Sequence, residues 1–191
     1  MTIFQGSLKT GGIAMFIDLL RSRRSIRQFE KRPVEPEKID LLIEAALRAP
    51  TSRGLNPWEF IFVTEPDTLE KLAGAKAHGS SFVKNGALAV IVCAHPDKSD
   101  VWVEDTAIAS IILHLAAADL GLGSCWVQIR KRAHDDQTTA EDYVKNLLGL
   151  DPSLVVEAVI AIGYPAETKD GHDRTKLLDE RISFERYGER R

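Results

Sequence analysis

Residues 21–29 read RSRRSIRQF and set Arg23, Ser25 and Arg27 two positions apart. In an extended segment alternate side chains share a face, so these three point the same way. In a helix Arg23 and Arg27 would align, but Ser25 would point elsewhere. Two guanidinium forks flanking a hydroxyl suit a phosphate or a phosphorylated cofactor, because a planar fork donates two parallel hydrogen bonds to oxygens. Ile26 and Phe29 interrupt the polar face and offer anchors to a core. A solvated basic turn after a helix carries the same residues, and charge runs usually face water. The rest of the chain decides between the two readings.

A chain of 191 residues is most simply one domain, able to bury on the order of 70% of its unfolded surface. Its 44% hydrophobic content is that of an ordinary globular protein. The net charge of −3 argues against a nucleic-acid binder and makes the arginine cluster a local feature. Cys93 and Cys125 form no CxxC pair, which fits a reducing, cytoplasmic compartment without a metal framework. No apolar run reaches the length of a membrane span. Residues 1–14 show no useful periodicity and lack the pattern of a signal peptide. They are expected to be a leader outside the core, with the domain covering residues 15–191; an extension packed on a neighbour is the alternative.

Outward from the arginines, residues 15–21 predict a short helix, and Pro36 opens another running to about Arg48 with Ile39, Leu42, Ile43, Ala46 and Leu47 as its apolar stripe. Residues 50–58, PTSRGLNPW, form a loop. Its Thr51, Ser52, Asn56 and backbone amides can hydrogen-bond a planar polar ring, although a plain helix-to-strand connection has similar composition. WEFIFV at 58–63 predicts a strand, and residues 64–67 a capping-box-like start to a helix reaching about Ala77. ALAVIVCA at 87–94 predicts a buried central strand, with Cys93 as a small apolar residue. Residues 101–120 predict a long helix, apolar nearly all round after Asp105 and therefore buried in the domain or against a partner. His114 within it reads as a satisfied core or interface histidine. SCWVQI at 124–129 and LVVEAVIAI at 154–162 predict two more strands, with a helix between them starting near Thr139 and stopped by Gly149. The charged tail still holds Leu177, Leu178, Ile182, Phe184 and Tyr187, which need a surface and could wrap a partner subunit.

Side-chain catalysts are missing. The chain has no GxGxxG after a strand, no Walker loop, no GxSxG and no metal spacing among its five histidines. Cys125 lies in an apolar strand without a base beside it and reads as structural. This points to a cofactor that carries the chemistry while the protein binds and orients it.

Four segments in register resemble the FMN-dependent nitroreductase family: RRSIRQF at 23–29, APTSRGLNPWEF at 49–60, GLGSCWV at 121–127 and IGYP at 162–165. The resemblance covers almost the whole chain from Met15. It implies an α+β fold, a central mixed or antiparallel sheet flanked by helices, in an intertwined homodimer with two FMN sites at the interface. It implies that Arg23, Ser25 and Arg27 hold the phosphate, ribityl chain and pyrimidine edge, with Arg24 acting mainly through its backbone. Pro50, Thr51 and Ser52 would reach the flavin from the other subunit. Asn56 sits where the family often has glutamine or asparagine. Trp126, Val127 and Gln128 would approach the ring near N5, and Arg174 and Lys176 would meet the phosphate. Gly54 departs from the asparagine frequent at its position. The implied activity is electron transfer from NADH or NADPH through FMN to a nitroaromatic, quinone or similar acceptor in a ping-pong cycle, with no obligatory catalytic side chain, no metal, no nucleic acid and no membrane. Reductive dehalogenation and flavin fragmentation occur on the same fold, but the short connection at residues 130–139 leaves little room for a lid. A flavin sensor with little turnover and a basic interaction module are readings of other classes.

Overall fold

Strand-forming runs build a single sheet in the computed structural model, which describes residues 12–190. The chain forms two units, one of Arg24–Lys169 and one that joins Met1–Arg23 with Asp170–Arg191. In the latter, helix α1 spans Gly12–Ser22, beginning three residues before its predicted start. The leader expected at 1–14 lies outside the described residues over 1–11. The tail makes two single turns, Arg174–Lys176 and Asp179–Arg181, and leaves Leu177, Leu178 and Ile182 about half exposed.

The larger unit runs α2 (Pro36–Leu47), β1 (Trp58–Val63), α3 (Pro66–Ala73), β2 (Leu88–Ala94), α4 (Trp102–Asp119), β3 (Gly123–Gln128), α5 (Ala140–Leu148) and β4 (Val155–Gly163). The strands lie in the order β1-β2-β4-β3 and every pairing is antiparallel. Among the described residues the one parallel pairing is an isolated bridge from Ser25 to Ser124 on β3. β2 is buried along its whole length because it is central and covered on both faces. One face packs Ile91, Cys93, Val127 and Val159 with Leu69, Leu72 and Val144 from α3 and α5. The other packs Val90, Val92, Ile160 and Ile162 with Leu42, Ala46, Leu113 and Ala117 from α2 and α4. Each Leu, Ile or Val among them contributes about 1.5–3 kcal/mol on burial, so these two clusters hold the sheet between its helices.

Local chemistry sets the helix ends. Pro36 and Pro66 occupy first-turn positions, where a missing N–H costs nothing. Thr139 Oγ1 accepts from Asp142 N, and Gly149 closes α5 with φ of 63°. The helix expected to reach Ala77 stops at Ala73, with Gly74 as its C-cap; its N-cap is Glu65, without the side-chain cap bond that Thr64 was expected to supply. On α4, Ile108 and Ile111 remain 39% and 45% exposed, so the helix is not buried all round within one chain.

Candidate functional site

The arginine segment leaves α1 after Ser22, forms strand-like bridges at Ser25 and Phe29, and is seated on glycines. Ile26 and Phe29 are each 8% exposed. Ile26 N donates to Ser124 O at 3.0 Å, and Phe29 bridges to Pro165. A Cβ on Gly123 would lie 2.8 Å from Ile26 Cβ and Cγ2, and one on Gly163 would lie 3.1 Å from Phe29 Cδ1. Gly123 and Gly163 face each other across β3 and β4. The two anchors therefore sit on a glycine pair, which is the physical content of the GLGS and IGYP stretches.

A clamp from after β4 closes over the same segment. Glu167 Oε1 accepts from Arg27 N at 2.6 Å and from Gln28 N at 3.2 Å. Lys169 Nζ donates to Glu167 Oε1 at 2.9 Å and to Ser25 O at 3.0 Å. The Arg27 amide, then the Lys169 ammonium, hold the Glu167 carboxyl below its usual range. Sequence reasoning missed both residues and looked further along, to Arg174 and Lys176. Their signal was a charged pair two residues apart directly after GYP. Arg174 instead spends its guanidinium on Asp179, at 2.9 and 3.0 Å.

Arg21, Arg32, Arg48, Arg53 and Arg174 each pair with a carboxylate. Arg23 and Arg27 form no ion pair with a described residue; Arg27 lies over the Phe82 ring at 5.7 Å. Guanidinium groups with no acid among the described residues, on either side of Ser25 in the chain, fit a phosphorylated ligand. On β3, Val127 is 1% exposed and packs into the core, so only its backbone can meet a ligand. Trp126 and Gln128 are half-buried and bonded to each other, Trp126 Nε1 donating to Gln128 Oε1 at 3.0 Å. Cys125 is 2% exposed and burial pushes its thiol up, in keeping with a structural role. His114 shares a 2.7 Å hydrogen bond with Ser124 Oγ, again as a satisfied buried group.

The loop at residues 50–56 is built separately. Thr51 Oγ1 donates to Asn56 Oδ1 at 2.9 Å and accepts from Asn56 N at 3.1 Å, so both predicted side chains brace the loop. Arg53 and Asn56 adopt positive φ of 56° and 45°. Ser52 N donates to Asp105 Oδ1 at 2.8 Å, and Ser99 Oγ donates to Asp105 Oδ2 at 3.0 Å. Asp105, 2% exposed in the first turn of α4, is the residue that sequence reasoning passed over, although with Glu104 it forms an acidic pair at the entrance to an apolar helix.

The sheet register keeps the two clusters apart. Trp58, where the loop enters β1, pairs with Ala94, which pairs with Val155 at the start of β4; Ser124 pairs with Ile162 near its end. The loop and the arginine segment thus stand at diagonally opposite corners of a four-stranded sheet, separated by roughly 25–30 Å at ordinary strand spacing and rise. One chain bridges Ser25 to Ser124, at the start of the strand that carries Trp126, Val127 and Gln128, and the sheet register sets the loop holding Pro50, Thr51, Ser52 and Asn56 at the other corner.

The sequence profile described as Nitroreductase family matches residues 20–94 and 76–164. A solved structure titled FMN-dependent nitroreductase, from Clostridium difficile R20291, superposes with a TM-score of 0.88 at 40% identity, covering 90% of this chain and 99% of that one. A protein of Archaeoglobus fulgidus provisionally named an NADH dehydrogenase/NAD(P)H nitroreductase is 33% identical over 176 residues, 90% of this chain and 98% of the relative. A Bacillus subtilis protein named FMN reductase (NADPH) is 26% identical over 174 residues, 78% of this chain and 66% of its own length. The extended basic segment, the glycine seats and the four-stranded sheet occur in a chain that belongs to the nitroreductase family.

Proposed function

We propose that this chain is an NAD(P)H-dependent FMN oxidoreductase that works as a homodimer. The observation that carries the reading is the Arg27 guanidinium, which forms no ion pair with a described residue and stands two positions from Ser25 on a segment held to β3 at Ile26 and clamped by Glu167 from beyond β4. When bound, FMN supplies the electron transfer, from NADH or NADPH to a nitroaromatic, quinone or similar electron-poor acceptor in a ping-pong cycle. Arg23, Ser25 and Arg27 bind the phosphate and ribityl chain by charge-assisted hydrogen bonds, with Arg24 contributing backbone. Lys176 and, once released from Asp179, Arg174 supply further cations for the phosphate. Trp126, Gln128 and the Val127 backbone flank one ring face and leave the other for a planar acceptor, which is positioning rather than acid–base chemistry. Pro50, Thr51, Ser52 and Asn56 complete the site from a second copy, a division supported by the opposite corners they occupy in one chain. The half-exposed Leu41, Leu47, Ile108 and Ile111 on α2 and α4 supply apolar surface for that dimer, and the tail apolar residues wrap it. The free thiols of Cys93 and Cys125 suit the cytoplasm, and among the described residues no helix is long and apolar enough to cross a membrane.

The test is an absorption spectrum of the purified protein, followed by anaerobic NADH or NADPH. A flavin spectrum that bleaches, and recovers on adding a nitroaromatic or quinone, is the expected result. Flavin that neither donor bleaches turns the reading toward a binding or sensing role. Within this framework Arg23→Ala is expected to weaken FMN binding about tenfold, the loss of one charge-assisted contact. Unchanged flavin retention in that variant would remove Arg23 from the phosphate site.

Glu167 predicts a pH dependence. Its carboxyl is held low in the folded protein, so its contribution is complete above the ordinary carboxylate value and is lost as pH falls through the lowered one. Flavin release measured against pH is therefore expected to rise on the acid side. Glu167→Gln is expected to release flavin faster at neutral pH and to flatten that acid limb. An acid limb identical to wild type would show that Glu167 does not hold the segment.

A further inference from the structure

β4 breaks register once, and the residue at the break is acidic. Val92 faces Ala158 and Cys93 faces Val156, which leaves Glu157 without a partner on β2. Toward β3, its carbonyl accepts from both Ile129 N and Arg130 N at 3.1 Å. A bulge of this kind re-aims a side chain, and bulges gather beside functional sites. Here it delivers a carboxyl that is 5% exposed to the base of Gln128. Gln128 Nε2 donates to Arg130 O at 3.1 Å and to Glu157 Oε1 at 3.4 Å, while Gln128 Oε1 accepts from Trp126 Nε1 at 3.0 Å. Glu157 Oε2 is buried without a hydrogen-bond partner among the described residues, 3.9 Å from Arg130 Nε, and the Arg130 guanidinium lies over the Trp102 ring at 5.5 Å.

This wiring has one direction. Turning the Gln128 amide over would set Nε2 against the indole N–H and Oε1 against a carbonyl and a carboxyl oxygen. A buried acid with one oxygen unsatisfied costs stability, and an apolar side chain of similar size would avoid that cost. Packing therefore does not explain why this strand carries an acid at its bulge.

We infer that Glu157 is a positioning residue for the ring-facing part of β3: through Gln128 it fixes the Trp126 indole that borders the flavin site. This rests on the reading that β3 lies at the flavin. Glu157 itself touches neither cofactor nor substrate and acts only through the amide.

The test is a double-mutant cycle on FMN affinity, read by quenching of flavin fluorescence, for wild type, E157L, W126F and the pair. W126F keeps an aromatic ring and removes the indole N–H that the relay ends on, together with the second ring. E157L is expected to weaken binding about fivefold and W126F by a similar factor, each removing one hydrogen bond's worth of orientation. The pair is expected to be no weaker than W126F alone, because the relay is already cut. E157Q keeps an acceptor for Gln128 and is expected to stay within about twofold of wild type. Multiplying effects in the pair, or an E157Q as weak as E157L, would overturn the inference. Where E157L does not fold, Q128L cuts the relay one step nearer the indole and the same cycle is read against W126F. A wild-type protein that binds no FMN overturns the reading of the site and this inference with it, whereas FMN binding with a multiplicative cycle overturns this inference alone.

Discussion

Gly123→Ala is expected to weaken FMN binding at least about tenfold and to destabilise the protein by about 1–3 kcal/mol, a fall of roughly 3–10 °C in Tm for a chain of this size. The added Cβ would lie 2.8 Å from Ile26 Cβ, an atom fixed by its own backbone, so no rotamer change relieves the contact. The segment carrying Ser25 and Arg27 must lift from β3, and the Ile26 N to Ser124 O bond lengthens with it. Two of the three contacts are to Ile26 Cγ1 and Cγ2, which Ile26→Ala removes, so the double variant is expected to recover binding only in part. A neighbour in the same turn supplies the control. Gly121 needs its glycine for φ of 74° and has nothing within 4 Å of a built Cβ, so Gly121→Ala is expected to cost stability through backbone strain while leaving FMN affinity close to wild type. FMN affinity within twofold of wild type in Gly123→Ala would mean that the arginine segment does not need its seat on β3.

That pair of glycines shows where the sequence is readable and where it is not. The strand predicted at 58–63 is the strand observed, and those predicted at 87–94 and 124–129 shift by one residue, because alternation and continuous apolar runs are local signals. The extended arginine segment was readable for the same reason: a period of two needs no knowledge of the partner. Its anchoring was readable only halfway. Ile26 and Phe29 announce that something apolar receives them, but that the receivers are Gly123 and Gly163 depends on contacts nearly 100 and more than 130 residues along the chain. Glu167 and Lys169 reach back over a similar distance, so charge spacing alone could not rank them above Arg174 and Lys176. Glu157 is the sharpest case. In LVVEAVIAI it looks like a polar residue tolerated in a strand, and only the slip between Val92 and Cys93 reveals that it stands outside the ladder.

Asp105→Ala is expected to remove about 2–3 kcal/mol of stability by leaving the Ser52 amide and the Ser99 hydroxyl without their acceptor, and, in the proposed dimer, to weaken FMN binding through the loop that the second copy contributes. The second effect separates a shared site from a site within one chain. In the proposed dimer each site takes its arginines from one copy and its 50–56 loop from the other. A heterodimer purified with one Arg27→Ala copy and one Asp105→Ala copy then concentrates both defects in one site. The other site keeps an intact arginine segment and an intact loop, so one FMN per dimer binds with wild-type affinity. If both clusters served the same chain's site, each site would carry one defect and neither would bind normally. Placing both substitutions on one copy, with a wild-type partner, reverses the expectation: a shared arrangement damages both sites and a single-chain arrangement spares one. Two FMN that both bind with reduced affinity in the first heterodimer would sink the shared site, and with it the assignment of Thr51, Ser52 and Asn56. The diagonal placement of the two clusters on the sheet is the reason to expect otherwise, since the roughly 25–30 Å between those corners is more than one flavin can bridge while stacking on β3.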